Sequence, residues 1–429
     1  MRPRTRAWVV LLATVFALLQ LANVTGRDTP DSGNYLSYAL SLRGWDKRAV
    51  AAATIDYGCA GRASWAARRQ SVDVIRFRRP DPAARVMAEC RAERWRRVEA
   101  RLRAGQTGGH TVPFTRERFM RIFEARPGYP VFLLPFLTLF GVTWGVWAAG
   151  VAVTVAGGLL AFLVLRTLRA PAPVCLAGQG LYYVLPCGTT AMRPMAEGLM
   201  LALTLAAVWG CALALTGRAR AGLWLVGGSL AALFTVKHSQ ALFLGLCLAA
   251  AAGLLLVRRR GRGGGAGAGG SRPAWALALT GCGAVLGTLL LARLLHLPST
   301  AESVQDLLTG HFTRPDRARP WPELLELEGH FWVEWLRRQL WQPLFLVALA
   351  GGAWGAARRP AAGLFVAAAA TTGFLTQAGH PDITIWGDRL IVLAWLLPVL
   401  GLPLLLEPAV RARVVVPAQE RADRTHSLR

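Results

Sequence analysis

The residues with the clearest chemical potential stand in four short groups: Asp28 and Asp31; Arg193 and Glu197; Lys237 and His238; and His380, Asp382, Asp388 and Arg389. Carboxylates can take a proton from a hydroxyl, and Lys, Arg and His can hold an anion. Each group stands at one end of a long uncharged block, so sequence-distant segments can bring acids and cations to a common depth. The natural inference is a crevice at the outer leaflet of a membrane, provided that the blocks cross a bilayer.

The composition supports that condition. Of 429 residues, 54% are hydrophobic and only 17% charged, which excludes a disordered chain and argues against a soluble globular enzyme, where about a quarter of residues are charged. Apolar blocks, uncharged apart from Arg293, of the length a helix needs to cross a hydrocarbon core of about 30 Å occur at residues 7–24, 141–165, 170–186, 198–216, 221–236, 239–257, 274–297, 341–357, 360–379 and 390–406. The expected fold is therefore an all-α polytopic membrane protein with about ten transmembrane helices. Residues 1–24 also have the basic head and apolar body of a signal peptide, but no small-x-small cleavage site follows Leu21, and a retained span is expected.

Charge sets the expected orientation. Residues 131–165 are uncharged throughout, about 52 Å as a helix and too long for one span. With 131–140 interfacial or re-entrant, the short connections on one face carry Arg166, Arg169, Arg218, Arg220, the arginines of 258–272, Arg358 and Arg359. Adding Arg2, Arg4, Arg6, Arg411 and Arg413 places 16 arginines inside, while 21 of the 24 acids fall outside. The expected layout is a first helix at 1–25, an extracytoplasmic cap at 26–140, helices 2–7 over 141–297 with a cytoplasmic Gly/Arg linker at 258–272, an external loop at 298–340, helices 8–10 over 341–406 and a basic cytoplasmic tail at 407–429. Both termini are then cytoplasmic and the location is the plasma membrane. The net charge of +25 rests on 47 Arg and two Lys. No soluble face gathers it beside aromatic stacking platforms, so nucleic acid is not an expected partner.

Within the cap, residues 81–103 predict a helix with an apolar stripe of Met87, Trp95, Val98 and Leu102 and i to i+4 pairs Glu93–Arg97 and Glu99–Arg103. In the second external loop Leu324, Leu327, Phe331 and Trp335 share one face, predicting a helix in the headgroup layer. Cys59 and Cys90 are the two cysteines well outside the apolar blocks, so either one bridge or two free thiols fits. The glycines of 258–272 have no preceding strand or following acid and read as a linker, and no CxxC or HExxH spacing marks a zinc site.

Almost no ionisable residue falls in the middle third of a block, which argues against a transporter. The run Asp28-Thr-Pro-Asp31-Ser-Gly-Asn-Tyr35, soon after a first span, resembles the acidic motif that opens the external loop of the GT-C superfamily of membrane glycosyltransferases. Arg126-Pro-Gly-Tyr-Pro130, followed by a short apolar stretch and Gly141, resembles the opening of that family's second span, and Arg193-Pro-Met-Ala-Glu197 its second external acidic motif. The likeness covers about residues 1–260 and departs in having no adjacent acidic pair in the first loop. It implies an enzyme with a mostly helical cap, using polyprenyl-phosphate-linked sugars as protein O-mannosyltransferases and aminoarabinose transferases do.

On that resemblance Asp31 is the candidate base, with Asp28 its rival and Glu197 a further catalytic acid. Lys237, His238, Arg193, Arg389 and Arg126 are candidates for the donor phosphate, and Tyr35, Tyr129 and Asp388 for substrate binding. His311 and His380 rank below these. Partners would be the lipid-linked sugar, membrane lipid and a glycan, lipid or protein acceptor, with no cofactor, a divalent metal remaining open. Each assignment has a structural competitor. Asp28 and Asp31 can form a turn capping a helix at Tyr35, Lys237 can snorkel, Arg193 and Arg389 can pair with Glu197 and Asp388, and Tyr129 can be purely structural. The competing function is a non-catalytic membrane protein whose arginine-rich cap binds an anionic cell-envelope polymer or a protein partner.

Overall fold

The structure is a computed structural model that describes residues 3–261, 271–383 and 389–412. Asp388, most of the Gly/Arg linker and the tail beyond residue 412 lie outside them. Every regular element among the described residues is helical. In chain order these are α1 (Pro3–Gln20), α2 (Ser32–Leu42), α3 (Lys47–Ser71), α4 (Ala83–Arg103), α5 (Glu117–Glu124), α6 (Gly128–Thr167), α7 (Ala172–Val184), α8 (Pro186–Ala191) and α9 (Ala196–Leu215). There follow α10 (Ala219–Gly261), α11 (Arg272–Leu294), α12 (Thr300–Leu308), α13 (Pro320–Trp341), α14 (Leu344–Ala357), α15 (Pro360–Ala378) and α16 (Leu396–Leu405), with short 3₁₀ turns at Leu21–Asn23 and Leu390–Trp395.

Seven of these segments are long and apolar enough to cross a membrane, or eight if α13 and α14, bent by 88°, form one span. The chain is thus an all-α membrane-embedded protein. Two of the ten apolar blocks, 221–236 and 239–257, are joined in α10, whose 43 residues are interrupted at Lys237 (φ −161°, ψ 95°). The block at 170–186 becomes the 13-residue α7, about 20 Å long. It stops because Pro186 forces Leu185 into extended backbone (ψ 170°).

The halves of α10 pack on different partners. A Cβ on Gly210 would lie 2.7 Å from the Gly222 carbonyl, joining α9 to the first half, and one on Gly281 would lie 2.7 Å from the Gly245 carbonyl, joining α11 to the second. Small residues permit such backbone approach in helix pairs that gain little from the hydrophobic effect in lipid. In α6 the break is at Gly141, whose φ of 71° and ψ of −174° suit glycine alone. Leu133 and Leu137, before that break, are buried in a core shared with the cap, not with the main bundle.

Two hydrophobic cores result. One fills the main bundle, drawing on α1, α6 to α11 and α13 to α16. The other unites Tyr35, Leu36 and Leu40 of α2, Ile55 of α3, Val98 of α4 and Phe123 of α5 with Tyr129, Met195, Ala196 and Val236. Val98 is fully buried, flanked by partly buried Met87, Trp95 and Leu102, as the stripe on α4 predicts. Glu93 pairs with Arg97, whereas Arg103 reaches the Glu99 carbonyl and not its carboxylate. A Cys59–Cys90 disulfide clamps α3 to α4. On α13, Phe331 and Trp335 are buried and Leu324 and Leu327 half-buried, as the expected apolar face requires.

Candidate functional site

The border between the two cores holds a cavity of about 680 Å³, within the range of small-molecule sites. Asp31, Tyr35, Arg126, Glu197, Lys237, His238 and Arg389 all line it. Its apolar side is formed by Leu242 and Phe243 of α10 and Leu289 and Ala292 of α11.

Asp31 occupies the N-cap of α2, and its carbonyl accepts from Asn34 N and Tyr35 N at 3.0 and 3.2 Å. A turn therefore forms here, but the carboxylate takes no part in capping. The neighbouring backbone is satisfied instead by Thr29 N donating to Ser32 Oγ at 2.8 Å. Asp31 Oδ2 accepts from Arg389 Nη2 at 2.5 Å. Arg389 Nε donates to Glu197 Oε1 at 2.7 Å, so one guanidinium joins carboxylates from two distant segments. The side chains of Arg389 and Glu197 are only 7% and 3% exposed, so the cluster is shielded from water. Glu197 opens α9, where the unsatisfied N–H groups favour an anion.

Lys237 reaches the cavity through the break in α10. Gly128, at the start of α6, allows close approach there: a Cβ on it would lie 2.8 Å from Val236 Cγ2 and 2.9 Å from the Thr235 carbonyl carbon. Below the break, Gln240 Nε2 donates to Thr372 Oγ1 at 3.0 Å and Thr376 Oγ1 donates to Gln240 Oε1 at 3.2 Å, tying α10 to α15. Three polar atoms of cavity-lining residues are buried without a hydrogen-bond partner among the described residues: Glu197 Oε2, Arg126 Nε and His238 Nδ1. Buried polar atoms are rarely left unpaired, so these three call for a partner in the cavity, water or a polar ligand.

The remaining site residues fall elsewhere. Asp28 lies in the cap near Gly61, where burial pushes its carboxyl pKa up while Arg94 and Arg62 pull it down. Arg193 is exposed and does not line the cavity; Glu197 pairs with Arg389 in its place. Tyr129 is buried behind the wall, edge-to-face with Tyr35 at 5.3 Å, and burial holds the Tyr35 phenol up at about 12. Asp388 is outside the described residues.

The sequence reading missed Asp306 and the wall it belongs to. Helix α12 is N-capped by Ser299, whose Oγ accepts from Glu302 N at 3.2 Å. The Ser-x-x-Glu spacing at 299–302 was the available signal, placing Asp306 one turn further on. His311, one of the lower-ranked candidates, lines the cavity together with His380. Its Nδ1 is 3.1 Å from Asp306 Oδ1 and its ring lies 4.3 Å from Phe119. His311 and Phe312 both hold left-handed backbone, with φ of 61° and 57°. Arg118 of α5 secures this wall to the cap, bonding both Asp316 carboxylate oxygens at 2.9 Å and lying 4.1 Å above the Phe312 ring.

The hydrogen bond to Asp306 raises the His311 pKa above its ordinary 6.5 despite partial burial, with Asp31 and Asp382 adding smaller pulls. A group raised on folding stabilises the fold fully below its unfolded pKa and loses that contribution as pH rises through the folded value. The wild-type protein should therefore melt above His311→Gln at about pH 6 and approach it by about pH 9. A melting difference that grows with pH would contradict the pairing. Burial lowers the His380 pKa to about 4, so that ring is neutral at physiological pH.

No group of three or more His, Cys, Asp or Glu side chains suited to a metal occurs among the described residues. Compared with protein-family models, curated proteins and solved structures, the chain matches none.

Proposed function

We propose that this chain is a multi-pass membrane glycosyltransferase of the GT-C type, with about ten spans and both termini cytoplasmic. It would work at the outer face of the plasma membrane, moving a sugar from a polyprenyl-phosphate donor to a glycan, lipid or protein acceptor. The observation that carries this reading is the meeting of Asp31, Glu197 and Arg389 with Lys237, His238 and Arg126 on one cavity at the border of the cap and the bundle.

In this chemistry the acceptor hydroxyl attacks the anomeric carbon as the bond from that carbon to the phosphate oxygen breaks. Asp31 takes the proton of the attacking hydroxyl as positive charge builds on its oxygen. Arg389 and Glu197 hold Asp31 in place. Lys237 and Arg126 meet the extra negative charge of the departing phosphate, and His238 donates a hydrogen bond to it. The phosphate leaves on its lipid carrier.

The test is transfer of labelled sugar from polyprenyl-phosphate hexoses or pentoses by the purified protein in lipid nanodiscs. Appearance of label on an acceptor, or slow release to water without one, is the expected result. Tight binding of an anionic envelope polymer by the intact protein, with no donor consumed, would overturn the reading.

A further inference from the structure

The turn that follows α3 is unlike the rest of the cap surface. Val72, Val74, Ile75 and Phe77 are 79%, 89%, 83% and 52% exposed, although they fall within six consecutive residues. Singly exposed apolar residues are ordinary, but a contiguous patch bordered by charge marks a contact surface. Arg69, Arg76, Arg78 and Arg79 border this one, with the Arg78 guanidinium 5.4 Å from the Phe77 ring centroid and that of Arg69 5.0 Å from Trp65. Trp65 is itself 53% exposed on α3.

The turn is preformed. Asp73 Oδ1 accepts from Ile75 N and Arg76 N, both at 2.9 Å. Gln70 Nε2 donates to the carbonyls of Arg79 and Pro80, both at 3.0 Å, closing the base. The one acid in this stretch is thus taken up by backbone, and the outward charge is that of the arginines.

Its position is fixed by the end of the first membrane helix. Arg68 Nη1 donates to Asn23 Oδ1 at 2.7 Å, and Asn23 is the last residue of the candidate span Pro3–Asn23. Helix α3 ends three residues beyond Arg68, about 4.5 Å further along its axis. The turn therefore stands a short distance from the end of that candidate span.

We propose that residues 72–79 insert into the surface of the same bilayer that holds the bundle, with Val74, Ile75 and Phe77 entering the acyl boundary and the arginines binding anionic lipid phosphates. Apolar tip, basic collar and bordering tryptophan are the combination that an interfacial element requires. The insertion gives the cap an attachment to the membrane besides α1 and α6, and it does not depend on the glycosyltransferase reading.

The test places an environment-sensitive bimane on Ile75→Cys, with signal from the native cysteines subtracted using labelled protein that lacks the substitution. The protein is embedded in nanodiscs of phosphatidylcholine with phosphatidylglycerol. Expected is several-fold stronger quenching by lipids carrying a nitroxide high on the acyl chain than by aqueous iodide. The combined change Arg76→Gln, Arg78→Gln and Arg79→Gln should reduce the lipid quenching in these discs and have less effect in discs of phosphatidylcholine alone. Quenching by iodide without quenching by lipid would overturn the proposal, as would protection from both, which would mean that another protein surface covers the turn.

Discussion

Asp31→Asn is expected to lower transfer from a polyprenyl-phosphate sugar by about a hundred- to ten-thousand-fold, the usual contribution of a positioned general base. The substitution preserves shape and leaves a carbonyl oxygen to accept from Arg389, while removing the charge that takes the proton. Glu197 still neutralises the guanidinium, so the fold should survive and a cooperative melt should persist. Asp28→Asn is the matched control: the residue lies three positions away in sequence but outside the cavity, and turnover should stay near wild type. Transfer by Asp31→Asn at the wild-type rate, in protein that melts normally, would remove Asp31 from the role.

Arg389→Met should have the largest effect on stability. The change leaves two carboxylates facing each other in a site where the original side chains are almost wholly shielded. Removing one partner of a buried ion pair costs about 3–5 kcal/mol, because the remaining charge loses its hydrogen-bonded counter-ion without regaining water. A second substitution separates this from a simple packing defect. Adding Glu197→Gln should restore part of the loss, since only one charge is then left without its partner. A variant melting within about 1 kcal/mol of wild type at pH 8 would mean that the cluster is solvated in the working protein.

The pattern of apolar blocks predicts an all-helical membrane protein because a helix in lipid must satisfy its own backbone, leaving a length signature that needs no knowledge of neighbours. The stripes on α4 and α13 are visible for the same local reason. Helix continuity is not. Lys237 separates two apolar blocks by its charge, yet the backbone runs through them as one helix with a break, and α6 approaches residues 235 and 236 closely only because Gly128 carries no side chain. Leu133 and Leu137 read as membrane residues on hydropathy, while their burial is against the cap.

The site divides in the same way. Asp31, Glu197, Lys237, His238, Arg126, Arg389 and Tyr35 can all be picked from the sequence as ionisable or phenolic residues beside apolar blocks, where a polar group has cause to be. Nothing local distinguishes Asp28 from Asp31, or Arg193 from Arg389. The turn at 29–32 leaves the Asp31 carboxylate outside the capping bonds, and the fold brings Arg389 to it across 358 positions. Asp306 and His311 joined the cavity wall through Arg118, a contact spanning 198 positions. The sequence by itself determined the type of element and the kinds of residue at their ends, since hydrophobicity and helix length act locally. Which acid meets which cation was decided only by the tertiary structure, because a buried charge is stable where a partner from elsewhere in the chain neutralises it.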